Sequence, residues 1–208
     1  MTFTNIEKSL GEISESLEDV NLRREKLLKE SRDIISLSSK AIINMHTRDF
    51  KDAKKNLDSV KNVLFNLQKT SQEDLTRYLI QPEGEYVEAM VLYAIINKKP
   101  IPSRKTLNVS GHAYLFGLSD AIGETKRLVY DKIRNGKSQE AANLFEIMEK
   151  LFVLLSPFAA YDNITGGIRR KLDIARKLIE DVRGLITEEI RREDYIKAME
   201  SFSRKIKT

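Results

Sequence analysis

The chain places four carboxylates in its two most apolar stretches, at Glu85, Glu88, Asp120 and Glu124. Neither the stretch 78–97 nor the stretch 106–125 contains a Lys or Arg. An ionised carboxylate in apolar surroundings costs several kcal/mol unless a cation or hydrogen bonds compensate for it. A divalent metal ion is a natural partner for such a group, and it would give the site the chemistry of metal-assisted hydrolysis.

The spacing of the acids places each pair on one face of a helix. Glu85 and Glu88 are three residues apart, and Asp120 and Glu124 are four apart. Like charges at these spacings destabilise a helix. A basic residue one turn away is the usual explanation, yet the sequence provides none for Glu85 or Asp120. Because Arg127 follows Glu124 by three residues, a simple ion pair remains the stronger explanation for Glu124.

The residue types favour a hard cation. The chain has no Cys and only two His, so thiolate zinc sites are excluded. The Glu-x-x-His motif of di-iron bundles is also absent, because residues 85–88 read Glu-Tyr-Val-Glu. Mg²⁺ or Mn²⁺ suits such a set, and the formal net charge of +5 favours phosphate chemistry with the metal polarising a phosphoryl oxygen and activating water. A structural network of paired or partly protonated acids remains the alternative.

The composition predicts one all-α domain spanning residues 1–208. Hydrophobic residues make up 41% of the chain and charged residues 32%, with few Gly and Pro and no alternating strand pattern. The N-terminus lacks a targeting pattern, and no apolar run approaches the roughly 18 residues needed to cross a bilayer. We therefore expect a cytoplasmic protein that does not bind a membrane.

Apolar periodicity predicts long amphipathic helices around the acids. The first runs from Ile6 to Met45, and its small residues Ser31 and Ser38 predict a closely crossing helix. A helix of this length exceeds one small core and indicates a partner subunit. Seven later helices are expected, at 49–70, from 71 to before Pro82, at 83–98, 111–134, 138–156 and 163–185, and around Tyr195. Asp49 and Ser138 are the expected N-caps of their helices, and Asn135-Gly136 is the expected C-cap of the helix that ends at Arg134. Ser156-Pro157 is expected to end the helix that begins at Ser138.

Three segments of the chain resemble the translin/TRAX family, and the resemblance extends over nearly the whole length. The segments are Arg23–Ile34 with Ser39-Lys40 and His46, then Glu85–Ala89, and then Tyr114–Glu124. The last two look like the TRAX version, in which the corresponding Glu, Glu and Asp bind Mg²⁺ and cut RNA. The chain departs from the family at Thr47, where an Arg usually follows the histidine.

The resemblance implies an all-α bundle of about seven helices, assembled as a homo-octameric shell with its active sites facing inward. Carried over position by position, Glu85, Glu88 and Asp120 become catalytic metal ligands, and Glu124 becomes either a fourth ligand or a residue that supports the ligands without touching the metal. We therefore expect a Mg²⁺-dependent endoribonuclease that cleaves single-stranded RNA.

Three basic residues, Arg32, Lys40 and Arg127, are our candidates for phosphate contacts. The alternative function is a non-catalytic translin-like protein that binds single-stranded RNA or DNA. A third possibility, a helical scaffold, predicts no metal dependence.

Overall fold

The structure is a computed structural model that describes residues 3–206, and within this range it is all-α without a β-strand. The helices are α1 (Thr4–His46), α2 (Phe50–Ser71), α3 (Ile80–Ile96), α4 (Arg104–Leu107), α5 (Gly111–Arg134), α6 (Ser138–Leu155), α7 (Asp162–Thr165) and α8 (Ile168–Ile206), with 3₁₀ helices at Thr76–Leu79 and Ser156–Tyr161. The all-α prediction is confirmed. Across the described range, no helix has both the length and the apolarity that a bilayer crossing requires.

The chain divides into two compact units, Met1–Tyr114 and Leu115–Thr208, and the boundary falls inside α5. In the first unit α1 packs against α2 and α3. In the second unit α6 packs against α8, and the 3₁₀ helix Ser156–Tyr161 contacts both. Each unit therefore has its own helical core and carries two of the four acids.

Helix α1 confirms the prediction of one long N-terminal helix, but only part of it is buried. Its buried residues begin at Leu27 and end at Met45. Ser31 and Ser38 are buried among them, as expected where helices approach closely. By contrast, four apolar residues of the N-terminal part are 53–63% exposed, namely Ile6, Leu10, Ile13 and Leu17. The partner subunit inferred from the helix length remains a prediction.

The connection between α2 and α3 differs from the prediction. Asp49 caps α2 as expected and accepts a hydrogen bond from the backbone N–H of Asp52 at 3.1 Å. However, Ser71 is the last residue of α2 and does not open a new helix. Helix α3 begins at Ile80, so Pro82 lies within its first turn. A proline is tolerated there because the first N–H groups of a helix have no acceptor in the helix.

The C-terminal helices also correct two predictions. Helix α8 continues to Ile206, so the separate terminal helix expected after Leu185 was wrong. The chain instead breaks before α8 at Gly166 and Gly167, whose φ angles of 62° and 131° favour glycine. Ser138 begins α6, and no side chain caps that helix, so its predicted capping role was wrong.

The junction of α5 and α6 follows the predicted stop signal. Helix α5 ends at Arg134, and Gly136 adopts a φ of 67°. The side chain of Glu140 on α6 then accepts a hydrogen bond from Lys132 on α5 and lies 3.1 Å from Lys137. These contacts join the C-terminal end of α5, the helix that carries Asp120 and Glu124, to the start of α6.

Acid should weaken this junction. The ammonium groups of Lys132 and Lys137 lower the pKa of Glu140 to about 2 from an ordinary 4.5. A carboxyl whose pKa is depressed by folding stabilises the folded protein above its unfolded pKa, and that contribution is lost as the pH falls through the folded pKa. The free energy of unfolding should therefore decline between about pH 4.5 and pH 2. Urea titrations across this window should show a smaller decline for Glu140→Gln, and equal declines would contradict the contribution of the junction.

Candidate functional site

Glu85 and Glu88 lie on the accessible side of an otherwise buried helix. Ten of the 17 residues of α3 are buried. Tyr86 and Val87, between the two acids, are buried, whereas both acids are only half-buried. Burial raises the pKa of the Tyr86 hydroxyl, which fits a core role for this side chain. The first unit thus presents two carboxylates from one side of α3.

Asp120 and Glu124 have a similar placement on α5. Both are half-buried, while Ala121, Ile122 and Thr125 are buried. The four-residue spacing leaves the two carboxylates on one side of the helix. The second unit therefore also presents a pair of acids beside its core.

Asp120 has a cationic partner that sequence reasoning missed. The Nζ of Lys171 on α8 donates hydrogen bonds to both carboxylate oxygens of Asp120, at 2.7 and 2.6 Å. The same Nζ lies 5.2 Å from the centroid of the Phe116 ring on α5. The sequence search for a cation considered only helical neighbours, and Lys171 lies 51 residues further along the chain. For Asp120 the structure therefore shows a long-range ion pair, which was the alternative to a metal ion.

The chemistry of the acids suits a hard divalent cation. Carboxylate oxygens are the ligands that Mg²⁺ and Mn²⁺ prefer. The Asp120 side chain is 39% exposed, and its carboxylate is paired with Lys171. Within residues 3–206, no group of three or more Asp, Glu, His or Cys side chains is arranged to hold a metal ion. The four-carboxylate metal site remains a prediction.

A fifth acid, Glu83, is buried, and the sequence reasoning did not single it out. It is 3% exposed and accepts hydrogen bonds from Gln68 Nε2 and from the backbone N–H of Ser110, both at 2.8 Å. Gln68 also donates to the carbonyl of Asn108 at 2.6 Å. Glu83 therefore connects α2 and α3 to the turn that starts α5. The sequence signal for Glu83 was its place within residues 78–97, which contain no Lys or Arg.

The predicted phosphate contacts lie on the surface. Arg32 and Lys40 are exposed on α1, and Arg127 is exposed on α5. Arg24, in a basic zone of α1 that is also visible in the sequence, forms a cluster with Arg77, and both donate to the hydroxyl oxygen of Tyr78 at 3.1 and 3.2 Å. These two bonds lower the pKa of Tyr78.

Gly123 lies between Asp120 and Glu124, and the structure leaves space for a side chain there. A Cβ added to this residue would meet Leu178 Cδ1 at 3.8 Å, which is an ordinary van der Waals contact. We expect Gly123→Ala to stabilise α5 by about 0.5–1 kcal/mol, because alanine loses less conformational entropy in a helix. Thermal unfolding should show a rise of about 2 °C in Tm. A lower Tm would contradict this prediction. It would indicate that some group packs against the Gly123 backbone more closely than Leu178 does.

Comparison with known proteins supports a family assignment. No family model matches the chain. An uncharacterised protein of Methanocaldococcus jannaschii is 34% identical over 164 residues, which cover 77% of this chain and 73% of that protein. This identity over most of both chains shows that the two proteins share a family.

Solved structures share the fold of this chain. AfC3PO in complex with duplex RNA matches with a TM-score of 0.81 and 27% identity, over 88% of this chain and 97% of that chain. AfC3PO alone gives 0.80 and 27% over 88% and 98%. Apo-NeC3PO gives 0.76 over 86% and 96%, and its 24% identity supports the fold alone. The chain therefore belongs to one family with the M. jannaschii protein, and its likeness to the AfC3PO structures supports the resemblance to the translin family.

Proposed function

We propose that this protein is a TRAX-type, metal-dependent endoribonuclease that cleaves single-stranded RNA. The observation that carries the proposal is the placement of the acids. Each pair lies half-buried on one side of its helix, directly beside residues that are buried. RNA as the substrate class is supported by AfC3PO, which is similar over 88% of this chain and has a structure in complex with duplex RNA.

In this proposal Glu85, Glu88 and Asp120 would hold Mg²⁺ or Mn²⁺, with Glu124 as the fourth ligand. Such an ion would supply positive charge to the phosphodiester as its negative charge grows during hydrolysis. The carboxylates orient the attacking water by accepting its hydrogen bonds. Partial burial strengthens these interactions, because fewer waters compete for the same oxygens.

Exposed basic residues would hold the RNA strand. We assign phosphate contacts to Arg32, Lys40 and Arg127, whose exposed side chains are available to a polyanion. Each such contact releases counterions, so the affinity for RNA should fall as salt rises.

A homo-oligomer, assembled as an octameric shell, completes the proposal. It is supported by the exposed apolar residues in the N-terminal part of α1, including Ile6 and Leu10. The C-terminal part of α8 has comparable exposed residues, including Met199 and Phe202. Surfaces of this kind are typical of association sites.

A non-catalytic RNA- or single-stranded DNA-binding protein is the second candidate. It is favoured by AfC3PO, which has a solved structure in complex with duplex RNA. The acids oppose this candidate. Carboxylates on accessible helix faces repel a polyanion, and a protein that only binds RNA gains nothing from them.

Parallel binding and cleavage assays separate the two candidates. Purified protein is incubated in Mg²⁺ with an end-labelled single-stranded RNA, beside Glu85→Gln and a control, Glu73→Gln, at an exposed acid outside α3. We expect the wild type and the control to cleave the RNA, and Glu85→Gln to bind it without cleavage. Wild-type protein that binds RNA but leaves it intact in both Mg²⁺ and Mn²⁺ would favour the second candidate. Absence of both activities would favour a scaffold.

A further inference from the structure

Two guanidinium groups converge on one phenolic oxygen in the first unit. The Nε of Arg24 on α1 and the Nη2 of Arg77 on the 3₁₀ helix Thr76–Leu79 donate to the hydroxyl oxygen of Tyr78, at 3.1 and 3.2 Å. Both guanidiniums also lie near the Tyr78 ring, at 5.7 and 5.0 Å from its centroid. Contacts between a cation and an aromatic ring are favourable, so the ring helps to hold both charges in place. Two positive charges are therefore kept beside a single oxygen atom.

A neighbouring ion pair fixes the two elements that carry this cluster. Arg23 donates Nη1 and Nη2 to the two carboxylate oxygens of Asp74, both at 2.8 Å, and donates Nε to Asp19 at 2.9 Å. A bidentate pair of this kind is specific in its geometry. It joins α1 to the turn that directly precedes the 3₁₀ helix. The arrangement of Arg24, Arg77 and Tyr78 is thus set before any ligand binds, which lowers the entropy cost of binding.

The cluster retains hydrogen-bond donors for an anion. A guanidinium has five N–H groups. Arg24 uses two of them, toward Tyr78 and Glu25, and Arg77 uses one toward Tyr78. Because the Tyr78 oxygen accepts from both arginines, its own hydrogen is left to donate to another acceptor. Arg77 is exposed and the side chain of Arg24 is 40% exposed, so a ligand in solution reaches both.

The charges around Tyr78 favour an anion. Hydrogen bonds from Arg24 and Arg77 lower the pKa of the Tyr78 hydroxyl below its ordinary 10, because they favour negative charge at this oxygen. Glu25 supplies one negative charge against the two positive ones, through a contact of 2.7 Å with Arg24. The side chain of Glu25 is 62% exposed, and an ion pair in such a position contributes little.

We propose that Arg24, Arg77 and Tyr78 form a binding site for one phosphate of the RNA backbone. This inference rests on the proposed function for its ligand, but the site uses neither the four acids nor a metal ion. A phosphodiester has two unesterified oxygens that share one negative charge, and they accept from both guanidiniums and from the Tyr78 hydroxyl. A contact to the backbone carries no base information, so the site holds a strand of any sequence.

RNA binding without metal provides the test. Fluorescence anisotropy is measured in EDTA with labelled oligo-U and oligo-A RNA over a range of salt concentrations. The variants are Arg24→Gln, Arg77→Gln and the double variant. The control is the double variant Lys54→Gln/Lys61→Gln, which removes the same charge from exposed positions on α2.

We expect each single arginine variant to weaken binding of both RNAs about fivefold, on the scale of an exposed ion pair. The double variant loses one phosphate contact, so the slope of log K against log salt should become shallower by about 0.7. The lysine control should keep the wild-type affinity within about twofold. A change of about 1.4 in the slope would mean that the arginines hold two separate phosphates, and it would contradict a single site. Weakening of only one of the two RNAs would indicate recognition of a base and would also contradict it.

Tyr78→Phe separates ligand binding from a purely structural role. This variant keeps the ring and both guanidinium charges but removes the hydroxyl. Its affinity for both RNAs should fall about threefold, the scale of one neutral hydrogen bond, with the salt slope unchanged. A variant with a lower Tm and wild-type RNA affinity would show that the hydroxyl only stabilises the fold.

The outcomes distinguish this site from the proposed function. If wild type binds RNA and the double arginine variant binds it equally well, the site is wrong and RNA binding stands. If the arginine variants lose affinity as expected but wild type does not cleave RNA in Mg²⁺, the site stands and the endoribonuclease is wrong. If wild type binds neither RNA, both are wrong.

Discussion

Replacement of Asp120 by asparagine should lower kcat/KM for RNA cleavage about 100- to 1,000-fold, which corresponds to about 3–4 kcal/mol of transition-state stabilisation. Asparagine has the shape of aspartate but lacks the charge that would hold a divalent cation. Its amide oxygen can still accept a hydrogen bond from Lys171, so the contact between α5 and α8 is largely kept. The measurement is the initial rate of cleavage of an end-labelled single-stranded RNA in Mg²⁺.

Asp173→Asn is the matched control for this prediction. It makes the same chemical change at an exposed position on α8, and it should cleave at the wild-type rate. Both variants should also unfold within a few degrees of wild type. An Asp120→Asn protein that is folded and cleaves within threefold of wild type would remove Asp120 from the catalytic set.

Removal of the buried Glu83 carboxylate should destabilise the protein by about 3 kcal/mol. Glu83→Ala leaves the Gln68 amide and the Ser110 N–H without the acceptor that each now uses at 2.8 Å. A buried donor without an acceptor costs about 1–3 kcal/mol, and the deleted side chain also leaves a cavity. For a chain of this size the Tm should fall by about 9 °C.

Thermal unfolding with Glu73→Ala as control tests the role of Glu83. Glu73 is an exposed acid ten residues earlier, and its removal should change the Tm by no more than about 2 °C. A Glu83→Ala protein that unfolds at the wild-type temperature would show that water can replace the carboxylate in this network.

Some helix ends could be predicted from the sequence because they depend on the chemistry of one nearby residue. Asp49 carries its capping oxygen at the start of α2, and Gly136 supplies the positive φ that ends α5. Both signals act through the backbone within a few residues, so the sequence suffices. The start of α3 was misplaced because Pro82 was interpreted as a barrier, although a proline fits the first turn. The continuity of α8 was missed because four charged residues, 191–194, interrupt its apolar pattern between Ile190 and Tyr195.

The sequence predicted only those features of the candidate site that depend on the geometry of a single helix. The spacing of Glu85 with Glu88, and of Asp120 with Glu124, follows from helical geometry alone. The partner of Asp120 lies on α8, 51 residues further along the chain. Glu83 likewise accepts a hydrogen bond from a backbone N–H 27 residues away. Such contacts arise from packing between helices, which periodicity in a single helix does not encode.

Reversible chelation in a single reaction tests the central claim most directly. Wild-type protein is mixed with labelled single-stranded RNA in Mg²⁺, excess EDTA is added midway, and excess Mg²⁺ is then returned. We predict that cleavage stops with EDTA and resumes at its earlier rate when Mg²⁺ is restored. Cleavage that continues unchanged in EDTA would contradict a metal-dependent endoribonuclease.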